Sequence, residues 1–293
     1  MDDVDWGDST DFLNFCQSLE LVNDQISCLK EIKSFGWVAS KGNSMLTYVE
    51  TEQYANIAAG NSSIKVVIAK HGVQINSDVS IIYVENPKFT FWSLFEFHSR
   101  LKELKTKSII SSSAKIGKNV SISEVGVFIG ERVIIEDNVV INSNVMIGDD
   151  TKVGHGSVIG SLGLEVKETV FGLIPVSHDA GVKIKNNVTI CALSSINKGL
   201  LGHDTIISQF TFIDCGVNVG HSSVIGEYNV ITANATIGGS VKTGKNVFVG
   251  INSTIVNGIE IPCNSFIGAG AIAVRSHSEP VKLLAMPSKN IPF

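Results

Sequence analysis

The sequence predicts a mainly β protein, a parallel β-helix of hexapeptide repeats with a small N-terminal α/β domain. Three observations point there. From Leu201 to Ala273 a core residue returns every six positions: Leu201, Ile207, Ile213, Val219, Ile225, Ile231, Ile237, Thr243, Val249, Ile255, Ile261, Ile267 and Ala273, of which eleven are Leu, Ile or Val. A period of six fits neither the 3.6-residue turn of an amphipathic helix nor the alternation of a half-buried strand. It fits a solenoid in which each hexad is one short strand plus a corner, its aliphatic residue pointing into a continuous core. Glycine often follows that residue, as in Val219-Gly220, Ile225-Gly226, Val249-Gly250 and Ile267-Gly268, which suits corners that need a small or conformationally permissive residue. The period also runs upstream, through Ile110, Ile116 and Ile122, then after a one-residue slip through Ile129, Ile135, Ile141, Ile147, Val153 and Ile159, and again at Ile184, Ile190 and Ile196. Three hexads close one triangular coil, so about eight coils are expected.

Residues 1–105 lack the hexad. Ser9 or Thr10 can cap a helix over Asp11 to Leu19, with Phe12, Phe15, Cys16 and Leu19 on one face. Ile64 to Ala69 and Val79 to Val84 read as strands rich in β-branched residues. Asn86-Pro87 ends the second strand, and Phe89 to Leu104 reads as a helix with Phe91, Leu94, Phe95 and His98 together. The β-helix is expected over 106–278, with a tail at 279–293. Residues 161–183 break the repeat, contain Pro175 and have hexads on both sides. An insertion in a solenoid bulges outward, and long ordered loops are usually functional.

Composition narrows the function. The 293 residues are 44% hydrophobic and 17% charged with a net charge of −5, enough for a sizeable core and poorly suited to nucleic acid. No apolar run reaches the length of a membrane span, and the acidic start, Met1-Asp2-Asp3-Val4-Asp5, differs from a basic leader. A soluble cytoplasmic protein is expected. Cys16, Cys28, Cys191, Cys215 and Cys263 form no Cys-x-x-Cys pair, which fits structural thiols in a reducing compartment. Tyr48 and Tyr54, six residues apart, could hold a nucleobase between them by stacking, or serve only in packing.

Several stretches together resemble the hexapeptide-repeat acyltransferases with a left-handed β-helix, and in particular the UDP-3-O-acylglucosamine N-acyltransferases of lipid A biosynthesis. They are the Tyr48 to Tyr54 segment, Val84-Glu85-Asn86-Pro87-Lys88-Phe89, Ile159-Gly160-Ser161-Leu162-Gly163, and Ile213-Asp214-Cys215-Gly216-Val217-Asn218-Val219-Gly220-His221. The resemblance implies a nucleotide-linked amino sugar (UDP or dTDP) as acceptor, with Tyr48 and Tyr54 clamping its base. It implies His221 as catalytic base, Asp214 as the carboxylate that orients it, and the Gly239 amide as oxyanion donor. Gly239 lies one 18-residue coil beyond His221 and should stack beside it.

The resemblance is incomplete in two ways. Gly258 stands where the lipid A enzymes have a second active-site histidine. The ending Ala285-Met286-Pro287-Ser288-Lys289 is similar to the short tails of sugar acetyltransferases that use acyl-CoA, where the lipid A enzymes have a helical extension for acyl carrier protein. The expected donor is therefore a short acyl-CoA, its phosphates met by Lys282 and Lys289, and the alternative is lipid A N-acylation from acyl carrier protein. The expected assembly is a homotrimer, because the outer hexad faces carry many apolar or small residues.

No bound cofactor or metal is expected. His155, His203 and His221 occupy the third, outward place of their hexads, and His203 and His221 are 18 apart, hence expected to stack. A zinc enzyme like the γ-type carbonic anhydrases is the competing metal reading. A non-catalytic β-helix scaffold is the other. His71, His98 and His277 read as ordinary surface or partly packed residues, and His178 in the inserted loop either approaches the sugar or, as is commoner, is a solvated loop residue.

Overall fold

The computed structural model describes residues 6–7, 9–101 and 106–286. The chain divides into two compact units, one of residues 1–103 with 164–179, the other of residues 104–163 with 180–293.

The first unit holds α1 (Ser9–Ser18), α2 (Asn23–Leu29), α3 (Glu52–Ala59) and α4 (Pro87–Leu101). Its strands β1 (Ser34–Phe35), β2 (Met45–Val49), β3 (Ile64–Lys70) and β4 (Ser80–Val84) form a parallel sheet in that order. Val66, Val67, Ile68 and Ala69 of β3 are all fully buried, as expected of a central parallel strand covered on both faces. Helix α4 starts two residues earlier than the pattern suggests, at Pro87, where a missing N–H costs nothing in a first turn. Its Phe91, Trp92, Leu94, Phe95 and His98 are buried.

The insertion forms an antiparallel hairpin, Val166–Thr169 with Gly172–Pro175, that belongs to this same unit. Phe171 packs edge-on against Phe89 at 4.6 Å, and Ser177 donates to the Glu96 carboxylate from both N–H (2.5 Å) and Oγ (2.7 Å). These residues lack the hexad because the core they join has no sixfold period.

The second unit is a left-handed parallel β-helix. Its three faces are parallel sheets of eight, nine and eight strands. Face I runs from Ile109–Ile110 to Glu260–Ile261, face II from Lys115–Ile116 to Lys282–Leu283, and face III from Ser121–Ile122 to Ile272–Ala273. The chain visits I, II and III in turn, so one edge lies between each pair. The hexad residues from Ile129 to Ala273 line the interior and nearly all are below 3% exposed, whereas Ile110 and Ile116 of the first coil are 43% and 40% exposed. A terminal coil lacks a neighbour on one side. Residues 282–283, expected in a tail, add the ninth strand to face II.

The corner glycines are explained by space. A Cβ on Gly220 would sit 2.6 Å from Gly239 N, and one on Gly250 would sit 2.5 Å from Ala269 N, on the next coil. The left-handed backbone position of the corners is filled most often by asparagine, at Asn119, Asn138, Asn144, Asn187, Asn234, Asn246, Asn252 and Asn264, a residue that tolerates φ near +60°.

Candidate active site

His221 follows the face III strand Asn218–Val219 and lies on the edge where the chain turns from face III to face I. Register along face III fixes its neighbours. Val219 pairs with Ile196 below and Ile237 above, and Ile237 with Ile255. Two residues beyond each, the edge therefore carries Lys198, His221, Gly239 and Asn257. Adjacent positions are one strand spacing apart, roughly 4.8 Å.

The imidazole lies directly over Gly239. A Cβ on that glycine would come within 2.7 Å of Cε1 and 2.8 Å of Cδ2, and it would collide with Nε2. Gly239 is thus the residue that lets the ring lie flat on the next coil. The other ring nitrogen, Nδ1, is 3.4 Å from Ser222 Oγ, which itself accepts the Leu200 N–H at 2.9 Å. With Nδ1 as the protonated nitrogen, Nε2 keeps its lone pair. The Gly239 N–H donates to Asn257 Oδ1 at 3.2 Å, and Gly239 O accepts from Gly258 N at 2.9 Å. Asn257 was not singled out in the sequence. Its position one coil beyond Gly239 was the available signal.

Three expectations need correction or relocation. His203 does not stack on His221. The turn Leu200-Leu201-Gly202-His203, closed by a bridge from Leu200 to His203, adds residues to this corner, so the offset between the two coils is 23 residues (Ser195 to Asn218). Lys198 takes the place below His221, and the histidine stack invoked for a zinc enzyme does not form. Leu201, counted as a strand residue, is buried in that turn with φ of 53°.

Asp214 follows the face II strand Phe212–Ile213, so it occupies the preceding edge, between faces II and III, with a full strand separating it from His221. Its Oδ1 accepts the Cys215 N–H at 2.8 Å. Donor atoms of Asp214, Cys215 and Cys191 lie within 4.8 Å of one another, the one cluster of three or more such ligand types among the described residues. Burial pushes the Cys191 thiol up, which disfavours the thiolate that a metal requires. His155 lies on this edge too, accepting the Asp137 N–H at 3.1 Å and facing Glu136 at 3.2 Å.

The remaining predicted residues are spread out. In the first unit, Tyr48 lies on β2 and Tyr54 on α3. Tyr48 is half-buried with one side against Phe91 (5.1 Å), and burial raises its phenol above the ordinary value, while Tyr54 is 51% exposed. Lys282 on face II places its ammonium over the Phe266 ring at 5.5 Å. Lys289 lies outside the described residues. His98 and His178 are buried rather than surface groups (7% and 9% exposed), and His98 stacks on Phe35. His71 packs on Tyr83.

Comparison with known proteins is consistent with the repeat. Residues 126–161 match the family described as bacterial transferase hexapeptide (six repeats). No curated protein matches the chain. Among solved structures it is similar to a UDP-N-acetylglucosamine O-acyltransferase from Moraxella catarrhalis, at 22% identity, covering 58% of this chain and 66% of that one, with a TM-score of 0.38. A UDP-N-acetylglucosamine acyltransferase from Arabidopsis is 20% identical over 57% of this chain and 66% of that one, TM-score 0.44. A hexapeptide transferase family protein from Anaplasma phagocytophilum is 14% identical over 62% of this chain and 80% of that one, TM-score 0.29. The chain spans about two thirds of the length of the first two. No helix among the described residues is long and apolar enough to cross a membrane.

Proposed function

We propose that this protein is an N-acyltransferase that moves an acyl group from a thioester, preferably a short acyl-CoA, to the amine of a nucleotide-linked amino sugar. The observation that supports it most is the His221 imidazole lying over Gly239 on a hexapeptide-repeat edge. The neutral amine attacks the thioester carbonyl carbon, and Nε2 of His221 takes the proton that nitrogen must lose. The C–N bond forms, the carbonyl oxygen becomes an oxyanion, and collapse breaks the C–S bond. The thiolate leaves and receives the proton from His221. Ser222 serves as the hydrogen-bond partner that holds Nδ1, the role that Asp214 would have had on this edge.

The Gly239 N–H meets the oxyanion once Asn257 Oδ1 yields it. Rotating the Asn257 amide half a turn replaces its acceptor by its NH₂ group, so glycine and asparagine together offer two donors. Tyr48 and Tyr54 hold the nucleobase, and Lys282 and Lys289 meet the phosphates of the donor. The protein works as a homotrimer in the cytoplasm, in the assembly of a cell-surface polysaccharide.

The test is product formation. Acetyl-CoA, 3-hydroxybutyryl-CoA and a long-chain hydroxyacyl carrier protein are each incubated with UDP- and dTDP-linked amino sugars, and amide products are read by mass spectrometry. A CoA thioester giving one N-acylated sugar nucleotide is the expected result. Transfer from the carrier protein alone moves the assignment to lipid A N-acylation, and no amide from any pair overturns the reading.

A further inference from the structure

The His221 edge continues N-terminally into a polar track. Below Lys198 comes Ser161, which a bulge in face III pairs with Asn197 and whose carbonyl accepts the Lys198 N–H at 2.8 Å, and then Ser143, two residues beyond the Ile141 that pairs with Ile159. Ser161 Oγ lies 2.9 Å from Ser195 Oγ and donates to Asn197 Oδ1 at 2.6 Å. The Lys198 side chain runs along this track past Gly160, where a Cβ would lie 3.6 Å from Lys198 Cε, and its ammonium donates to Ser143 Oγ at 3.0 Å. All of these side chains are half-buried.

Lys198 differs from the lysines of this β-helix that meet a carboxylate. Lys152 meets Glu136 at 2.7 Å, Lys183 meets Asp204 at 2.5 Å and Lys242 meets Glu260 at 2.8 Å. Among the described residues, the half-buried Lys198 ammonium meets a neutral hydroxyl and no carboxylate. Burial lowers it below the ordinary lysine value. A cation held away from solvent without an anion costs free energy, and a run of hydroxyl and amide groups beside it supplies the donors that phosphate oxygens accept.

We infer that the track of Ser143, Ser161, Asn197 and Lys198 is an anion subsite for a phosphate ester, with Lys198 as its cation, lying N-terminal to the reacting centre on the same edge. The link to His221 rests on the acyltransfer reading; the anion site itself does not. From the Ser143 position to the Gly239 position there are four strand spacings, about 19 Å. A lysine side chain can carry its ammonium over part of that span. Both substrates of the proposed reaction bear phosphates, so the shared chemistry is a phosphate ester, and its source is decided by competition.

The experiment is calorimetric titration of the full-length protein with inorganic pyrophosphate, followed by displacement with UDP or with 4′-phosphopantetheine. Wild type is expected to bind pyrophosphate, and Lys198→Gln, with an unchanged circular dichroism spectrum, to bind it roughly tenfold to a hundredfold more weakly. Lys198→Arg should keep binding within a few-fold. Displacement by UDP alone makes the subsite the acceptor's, and by phosphopantetheine alone the donor's. Equal affinity in wild type and Lys198→Gln, or no pyrophosphate binding at all, overturns the inference. Pyrophosphate binding without any acyl transfer would sink the acyltransferase reading and leave the subsite standing, and acyl transfer with no Lys198-dependent anion binding would do the reverse.

Discussion

Two edges of the β-helix flank face III and are built from the same repeat, yet they hold charge differently. On the edge before face III, the charges are matched. Glu136 is held below the usual carboxylate range by Lys152, with His155 on its other oxygen, and Asp214 is engaged by a backbone N–H. On the edge after face III, an imidazole lies over a glycine, an amide N–H is covered by a side-chain oxygen that can rotate, and a half-buried ammonium meets a hydroxyl. A matched edge reads as architecture. An edge that sets a half-buried cation beside a base and a donor, with no carboxylate on that cation among the described residues, reads as a site, because such a charge lowers stability unless a ligand uses it.

The largest effect that would break the contrast is expected at Gly239. Gly239→Ala puts a methyl where the imidazole lies, and the ring must swing off the next coil. Displacement of a catalytic group by about an ångström costs on the order of 10² in rate, so kcat should fall by about that factor while the thermal melting curve is nearly unchanged.

Asn257 sharpens the contrast further. Asn257→Asp keeps the bond to Gly239 N–H and sets a negative charge beside the developing oxyanion, so kcat should fall at least roughly tenfold. Asn257→Ala uncovers the N–H and should fall less. If the aspartate variant is the more active of the two, Asn257 does not rotate as proposed.

Tyr48→Ala and Tyr54→Ala should each weaken nucleotide-sugar binding, roughly tenfold for loss of one stacking face, and leave donor affinity alone. Isothermal titration checks this. Unchanged nucleotide affinity in both variants would leave the tyrosines as packing residues.

The smallest effect is on stability. The folded-state value of Lys198 is depressed, so between it and the unfolded lysine value near 10.4 the unfolded chain binds more protons and wild-type stability rises with pH. Lys198→Gln removes that dependence. It should melt slightly above wild type at neutral pH, with the gap closing as the pH rises through the folded-state value towards 10, as followed by differential scanning calorimetry across that range.

The sequence made the β-helix legible because a solenoid buries the same place of each hexad, usually with a small or β-branched residue two before it, and repeats the rule from Ile129 to Ala273. The first unit obeys no such period. Its core joins Trp6, Phe12, Phe35, Phe91 and Phe95 from α1, β1, α4 and the segment before α1, and α2, α3 and β1 are too short to show a pattern. At the site, the pairing of His221 with Gly239 followed from an uninterrupted coil of 18 residues. The partners of His221 did not, because the turn at Leu200-Leu201-Gly202-His203 shifts the coil below and brings Lys198 there instead of His203. Asp214 is close to His221 in sequence, but a strand lies between them, and on a β-helix one strand is enough to change the edge.

The most direct measurement compares the two edges in one assay. Acyl transfer from a CoA thioester to an amino-sugar nucleotide is followed for wild type, His221→Ala and Asp214→Ala, each checked for an unchanged oligomer. The account predicts a loss of roughly 10²–10⁴-fold in kcat for His221→Ala and a change within a few-fold for Asp214→Ala. Near-normal turnover by His221→Ala, or an equal collapse in Asp214→Ala, would contradict the assignment of the chemistry to the edge after face III.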